Sequence, residues 1–142
     1  VRRISPTFCE IYTQARIAEQ DGFSQICGLG YGKALEFLIK DYAIATSPAE
    51  AEKIKKITLA DCISNYIRDE AIRNSTDLAR WLRNDETHYL RKFTSHDSSD
   101  LRNLIGIGVL LIEQAEIKRK AEGEIEKRRK AMERDRATGS SS

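Results

Sequence analysis

The sequence predicts an all-α protein, a helical bundle of about five helices followed by a charged helical extension. Apolar residues recur at three- and four-residue spacing through most of the chain, the period of an amphipathic helix. Aromatic residues are 7% of the total and prolines number 2, which argues against a strand-rich sandwich. Both prolines follow a serine closely enough to open a helix rather than break one. A chain of 142 residues suffices for one core. The reading divides it into a helical domain over 1–115, a charged extension over 116–136 and a disordered end or cloning remnant over 137–142.

In the first helix Ser5 or Thr7 is the cap, Pro6 lies in the first turn, and Phe8, Ile11, Tyr12, Ala15 and Ala18 form the stripe. Asp21-Gly22 ends it. Phe23, Ile26, Gly30, Ala34, Leu35, Leu38, Ile39 and Tyr42 carry the period through a longer second helix. Its Gly28, Gly30, Gly32 and Lys33 are not a phosphate loop, because that motif needs four residues between its glycines and a Ser or Thr after the Lys. Glycines on a helix instead let a neighbour approach closely, at about 1 kcal/mol each in propensity. A weak reading as a small-ligand site would use Tyr31, Lys33 and these glycines. Ala45 to Pro48 is a break, with Ser47 capping a short charged segment through Lys56. Thr58 caps a third stripe of Leu59, Cys62, Ile63, Tyr66 and Ile67. Asn74-Ser75-Thr76 reads as the next break, with Thr76 as a cap. After His96-Asp-Ser-Ser, a fifth helix capped by Ser98 or Ser99 carries Leu101, Leu104, Ile105, Val109 and Ile112. From Glu116 the stripe fails, and Lys and Arg interleave with Glu as on a solvated helix held by i,i+4 pairs.

The balance of 24 basic and 22 acidic side chains leaves a net charge of +2, so affinity for nucleic acid or membrane must come from a local patch. Cys9, Cys27 and Cys62 are far apart with no CxxC, which predicts reduced thiols in the cytoplasm and no zinc site. No metal and no cofactor is expected. The longest apolar run, Leu104 to Ile112, is about half of a membrane span. The chain opens on Val1 with no signal-peptide pattern, and reads as a piece of a longer protein.

Chemistry concentrates between Leu78 and Leu90, a stretch that holds the single Trp and places Arg83, Asn84, Asp85, Glu86 and His88 within six residues. An Arg and a neutral His beside a phosphodiester can cleave RNA without metal: the imidazole takes the 2′-OH proton and the guanidinium neutralises developing charge. Arg meets two phosphate oxygens with its planar fork, and a His pKa near about 6.5 suits neutral pH. Arg83 and His88 lie about 140° apart on an ideal helix, so one straight helix cannot bring them together. Asn84 is an i,i+4 neighbour of His88, and Asp85 lies one turn before it; either can orient the ring. The spacing itself recurs at Arg91 and His96, so it carries little weight. An exposed charged helix with Arg83 paired to Glu86 or Thr87 would have the same letters.

Three blocks, Phe8-Cys-Glu-Ile-Tyr-Thr-Gln-Ala15, Gly28-Leu-Gly-Tyr-Gly-Lys-Ala-Leu-Glu-Phe-Leu-Ile-Lys-Asp-Tyr42 and Trp81-Leu-Arg-Asn-Asp-Glu-Thr-His-Tyr-Leu90, together resemble the bacterial domain-of-unknown-function family 4145. The likeness runs over about residues 8 to 116. That family is similar to the HEPN superfamily, helical bundles that commonly dimerise and whose active members are metal-independent RNases. The resemblance implies a HEPN-like bundle, Arg83, Asn84 and His88 as catalytic residues, and Asp85, Glu86 and Tyr89 in support. It also implies a homodimer, RNA as substrate, an antitoxin or a fused defence module as partner, and a role in prokaryotic or phage defence. The alternative is a non-catalytic helical dimerisation or interaction domain, with the same motif as a structural hydrogen-bond network. The chain departs from the resembled pattern twice: Arg83 stands where Gly is frequent, and Gly32 where Arg is common.

Overall fold

A computed structural model describes residues 1–87 and 98–139. All regular structure among them is helical: α1 (Pro6–Gln20), α2 (Ser24–Thr46), a 3-10 turn (Pro48–Glu50), α3 (Ala51–Lys56), α4 (Leu59–Tyr66), α5 (Glu70–Thr87) and α6 (Ser98–Gly139). The chain divides into two compact units, Val1–Ile112 and Glu113–Ser142, so the edge falls three residues before the expected 115.

In the first unit several of the expected starts and stops hold. Ser5 caps α1 by accepting from the Phe8 backbone N–H at 3.2 Å, and its own hydroxyl donates to Asp41 of α2. Gly22, at φ +80°, supplies the left-handed residue between α1 and α2. Thr58 caps α4 through the Asp61 backbone N–H at 3.1 Å. α2 is the central element and contacts α1, α3, α4 and α5. Its Tyr31, Ala34, Leu35, Leu38, Ile39 and Ala43 are wholly enclosed. Each large apolar side chain so placed contributes about 1.5–3 kcal/mol. A Cβ on Gly30 would stand 3.0 Å from Ala15 Cβ, so a small residue there sets the close α1–α2 contact.

Two sequence expectations need correction. Asn74-Ser75-Thr76 is not a break: α5 runs through it from Glu70. The cap is Asp69, whose Oδ1 accepts from the Ile72 backbone N–H at 3.0 Å. Thr76 is buried, and its hydroxyl donates to the Ile72 carbonyl at 2.7 Å. That local bond satisfies the hydroxyl inside the helix, so a polar triplet need not end it. The fifth stripe and the charged extension are likewise one helix, α6, which includes Ala137 to Gly139 where a disordered end was expected; 140–142 lie outside the described residues. No helix of the described residues is long and apolar enough to cross a membrane.

Three helices meet at one polar node. Tyr31 of α2 donates to Glu19 of α1 at 3.1 Å, and Glu19 pairs with Arg102 of α6. Burial, and then the Glu19 carboxylate beside it, pushes the Tyr31 phenol up to about 12. Tyr31 is therefore core, which removes it from any ligand site. Burial also pushes the Cys62 thiol up to about 11, and all three cysteines are free.

The folded chain holds the Tyr31 proton to about pH 12, whereas an unfolded tyrosine releases it near 10. Its contribution to stability is complete below about pH 10 and is lost between about 10 and 12, at a cost on the order of 2–3 kcal/mol. Tyr31→Phe, which cannot ionise, should lie about 1 kcal/mol below wild type at neutral pH through the lost hydrogen bond and lose less across that window. Urea midpoints of both proteins at neutral and alkaline pH measure the crossover.

Candidate functional site

The helical period carries Arg83 inward. Ile72, Thr76, Ala79 and Arg83 follow at four-, three- and four-residue spacing on the face of α5 that includes its buried residues, while Leu78 and Trp81 are exposed. The Arg80 guanidinium lies 5.8 Å from the Trp81 ring centroid and pairs with Asp77 at 2.9 Å.

Arg83 crosses α2 at Gly32. A Cβ built on Gly32 would stand 2.6 Å from Arg83 Cγ, closer than real side chains come. The absence of a side chain at 32 is thus what lets the arginine stem lie against α2. The guanidinium enters a cleft of about 200 Å³ lined by Gly28, Leu29, Gly32, Lys33, Glu36 and Arg83. Its Nη1 stands 3.8 Å from Glu36 Oε2, near enough for Coulomb attraction but too far for a hydrogen bond. That nitrogen is buried and has no hydrogen-bond partner among the described residues. Glu36 is shared, its Oε1 lying 3.5 Å from Lys40 Nζ, and Lys40 in turn donates to the Ile57 carbonyl at 2.8 Å. The Arg83 side chain is 25% exposed and that of Glu36 41%, so their ion pair is worth only about 0–1 kcal/mol. The Gly32 contact, not the ion pair, positions the arginine.

The structure brings Arg83 together with residues of α2; the side chains of Glu86 and Thr87, its alternative partners on α5, lie outside what is described. Asn84 follows it on α5 and is half-buried. Asp85 and Glu86 are placed as backbone of the last turn of α5. His88 and Tyr89, with Arg91 and His96, lie outside the described residues. Sequence reasoning passed over Glu36, although its spacing from Gly28, Gly32 and Lys33 already set all four on one side of α2. The two departures from the resembled pattern, Gly32 and Arg83, form a single contact.

Among known proteins no family model matches the chain, and neither a curated protein nor a solved structure does.

A methyl at position 32 should have opposite effects in two backgrounds. In wild type, Gly32→Ala gains about 1 kcal/mol of helix propensity but forces Arg83 or α5 aside, which costs about 1–3 kcal/mol. The expected net is destabilisation. With Arg83→Ala already in place the clash is gone, and Gly32→Ala should stabilise by about 1 kcal/mol. A double-mutant cycle from urea unfolding reads this as non-additivity of about 1–3 kcal/mol; additive effects would contradict the contact.

Proposed function

We propose that the first unit is a HEPN-like domain whose α2–α5 cleft takes an RNA phosphodiester and, with His88, cleaves it without a metal ion. The observation that supports this reading is the buried Nη1 of Arg83, a charged donor without a hydrogen-bond partner among the described residues, in a cleft that Lys33 also lines. A buried donor left unpaired costs about 1–3 kcal/mol, more when charged. A phosphate oxygen is a partner that the guanidinium fork fits and whose charge it offsets.

In this reading Arg83 and Lys33 hold the non-bridging oxygens. The neutral imidazole of His88 takes the 2′-OH proton, and the 2′ oxygen attacks the adjacent phosphorus. The bond from phosphorus to the 5′ oxygen breaks, and that oxygen takes up a proton, leaving a 2′,3′-cyclic phosphate and a 5′-hydroxyl. Asn84, four residues before His88, orients the ring, with Asp85, Glu86 and Tyr89 in support. A homodimer in which two copies complete one cleft answers the about 140° between Arg83 and His88 on a single helix. The free thiols Cys9, Cys27 and Cys62 suit the cytoplasm, with an antitoxin or a fused defence module as partner.

The non-catalytic alternative has its own observation: the Arg83 stem fills the space at Gly32 and its charge lies near Glu36, as a helix clamp would. Labelled RNA incubated in EDTA with wild type and His88→Ala separates the readings. Catalysis predicts cleavage reduced by about 10²-fold or more in the variant at an unchanged melting temperature. Equal cleavage by both proteins, or none by either, would sink the ribonuclease; a lowered melting temperature without any cleavage would support the clamp.

A further inference from the structure

The second unit, Glu113–Ser142, carries an apolar stripe that its own charged surface leaves uncovered. Ile117, Ile125 and Met132 are 70%, 64% and 58% exposed. Ala121, Ile125, Arg128 and Met132 follow Ile117 at four-, four-, three- and four-residue spacing, which places all five within about 80° of arc. Isolated exposed apolar residues need no explanation, but alignment along about 22 Å of helix marks a face suited to a partner helix.

We propose that this face pairs with the same helix of a second copy of the chain, the two running antiparallel with Ile125 against its symmetry mate. The charges beside the stripe choose both the occupant and the direction. One flank carries Lys118, Glu122, Arg129 and Glu133; the other carries Lys120, Glu124 and Lys127. In an antiparallel pair each flank meets itself in reverse. With 125 opposite 125, Lys118 faces Glu133 of the second copy, Glu122 faces Arg129, and Glu124 faces Lys127, three encounters of opposite sign, while Lys120 faces the uncharged Ala131. A parallel pair sets one flank against the other at equal height. Lys118 then meets Lys120 and Arg129 meets Lys127, like against like, while Glu122 stands equally far from Lys120 and Glu124 and gains nothing.

Local geometry agrees with the antiparallel arrangement. Lys118 and Glu122 are paired along their flank at 4.0 Å, and Arg129 and Glu133 at 3.4 Å. Antiparallel docking lays one of these ion pairs on the other with signs reversed, making a four-charge cluster on that flank at each end of the contact. In the stripe Ile117 meets Met132, and Arg128 meets Ala121, whose single methyl leaves room for the arginine stem while its head reaches water. This pairing is independent of the reading of the α2–α5 cleft.

Sedimentation of the full chain tests it. Wild type should self-associate reversibly, and Ile125→Asp should weaken that association by about tenfold or more with unchanged helix content by circular dichroism. Glu122→Arg sets Arg against Arg129 and Arg129→Glu sets Glu against Glu122, so each variant alone should associate more weakly. An equimolar mixture of the two should recover the wild-type assembly, because opposite signs then meet across the pair. The proposal is overturned if wild type stays monomeric, if it associates only once RNA or anionic vesicles are added, or if Ile125→Asp assembles unchanged. Tightening by Glu122→Arg alone would overturn it too, since the antiparallel pair sets that charge against Arg129.

Discussion

The close passage of Arg83 over Gly32 is the constraint on which the rest of the site depends. A long cationic side chain on the inward face of α5 would ordinarily hold two helices apart, because neither its stem nor its charge belongs between them. Here the stem occupies the volume that a side chain at 32 would need. The charge is left at the edge, beside Glu36 and at the mouth of a small cleft. Ile72, Thr76 and Ala79 can then pack as an ordinary helix face. The glycine makes the arginine affordable, and the arginine gives the glycine its reason.

α2 serves two purposes because its period exposes two faces. Tyr31, Leu35, Leu38 and Ile39 belong to the core face. Leu29, Lys33 and Glu36, joined by Gly28 and Gly32, line the cleft. Apolar burial supplies the stability of the first face. On the second, a partly exposed ion pair contributes little, so the cleft is held by helices fixed elsewhere. The node of Tyr31, Glu19 and Arg102 is part of that fixing, since it ties α1, α2 and α6 through groups whose polar needs are met by one another.

Much of the architecture was legible in the residues. Ser5, Pro6, Gly22, Pro48 and Thr58 mark their boundaries by local chemistry that acts within one turn, and local chemistry is what a sequence displays directly. The polar triplet at 74–76 misled because the Thr76 hydroxyl can bond to its own helix instead of capping the next one, and only the surroundings decide between the two. At the site, the importance of Arg83 was legible as a residue type in a suggestive setting. Its true neighbours were not, because Gly32 and Glu36 are some fifty residues away in the chain and meet it only once α2 and α5 pack. The inward stripe of α5 was available in the sequence, but the misplaced break at Thr76 divided it.

The charged end of α6 shows the opposite relation between pattern and structure. Read for its i,i+4 pairs alone, it is a helix that needs only water, and those pairs are present, Arg129 bonding both Glu126 and Glu133. Yet pairs of this kind would form equally well for many orders of the same residues. A solvated helix has no reason to keep Ile117, Ile125 and Met132 within one narrow arc, nor to place its flanking charges so that reversal about residue 125 sets Lys118, Glu122 and Glu124 against opposite signs. Helix propensity and local ion pairs account for the presence of charge, whereas a specific partner accounts for its order. The order carries the information, and it reads most simply as a surface shaped to recognise its own reverse.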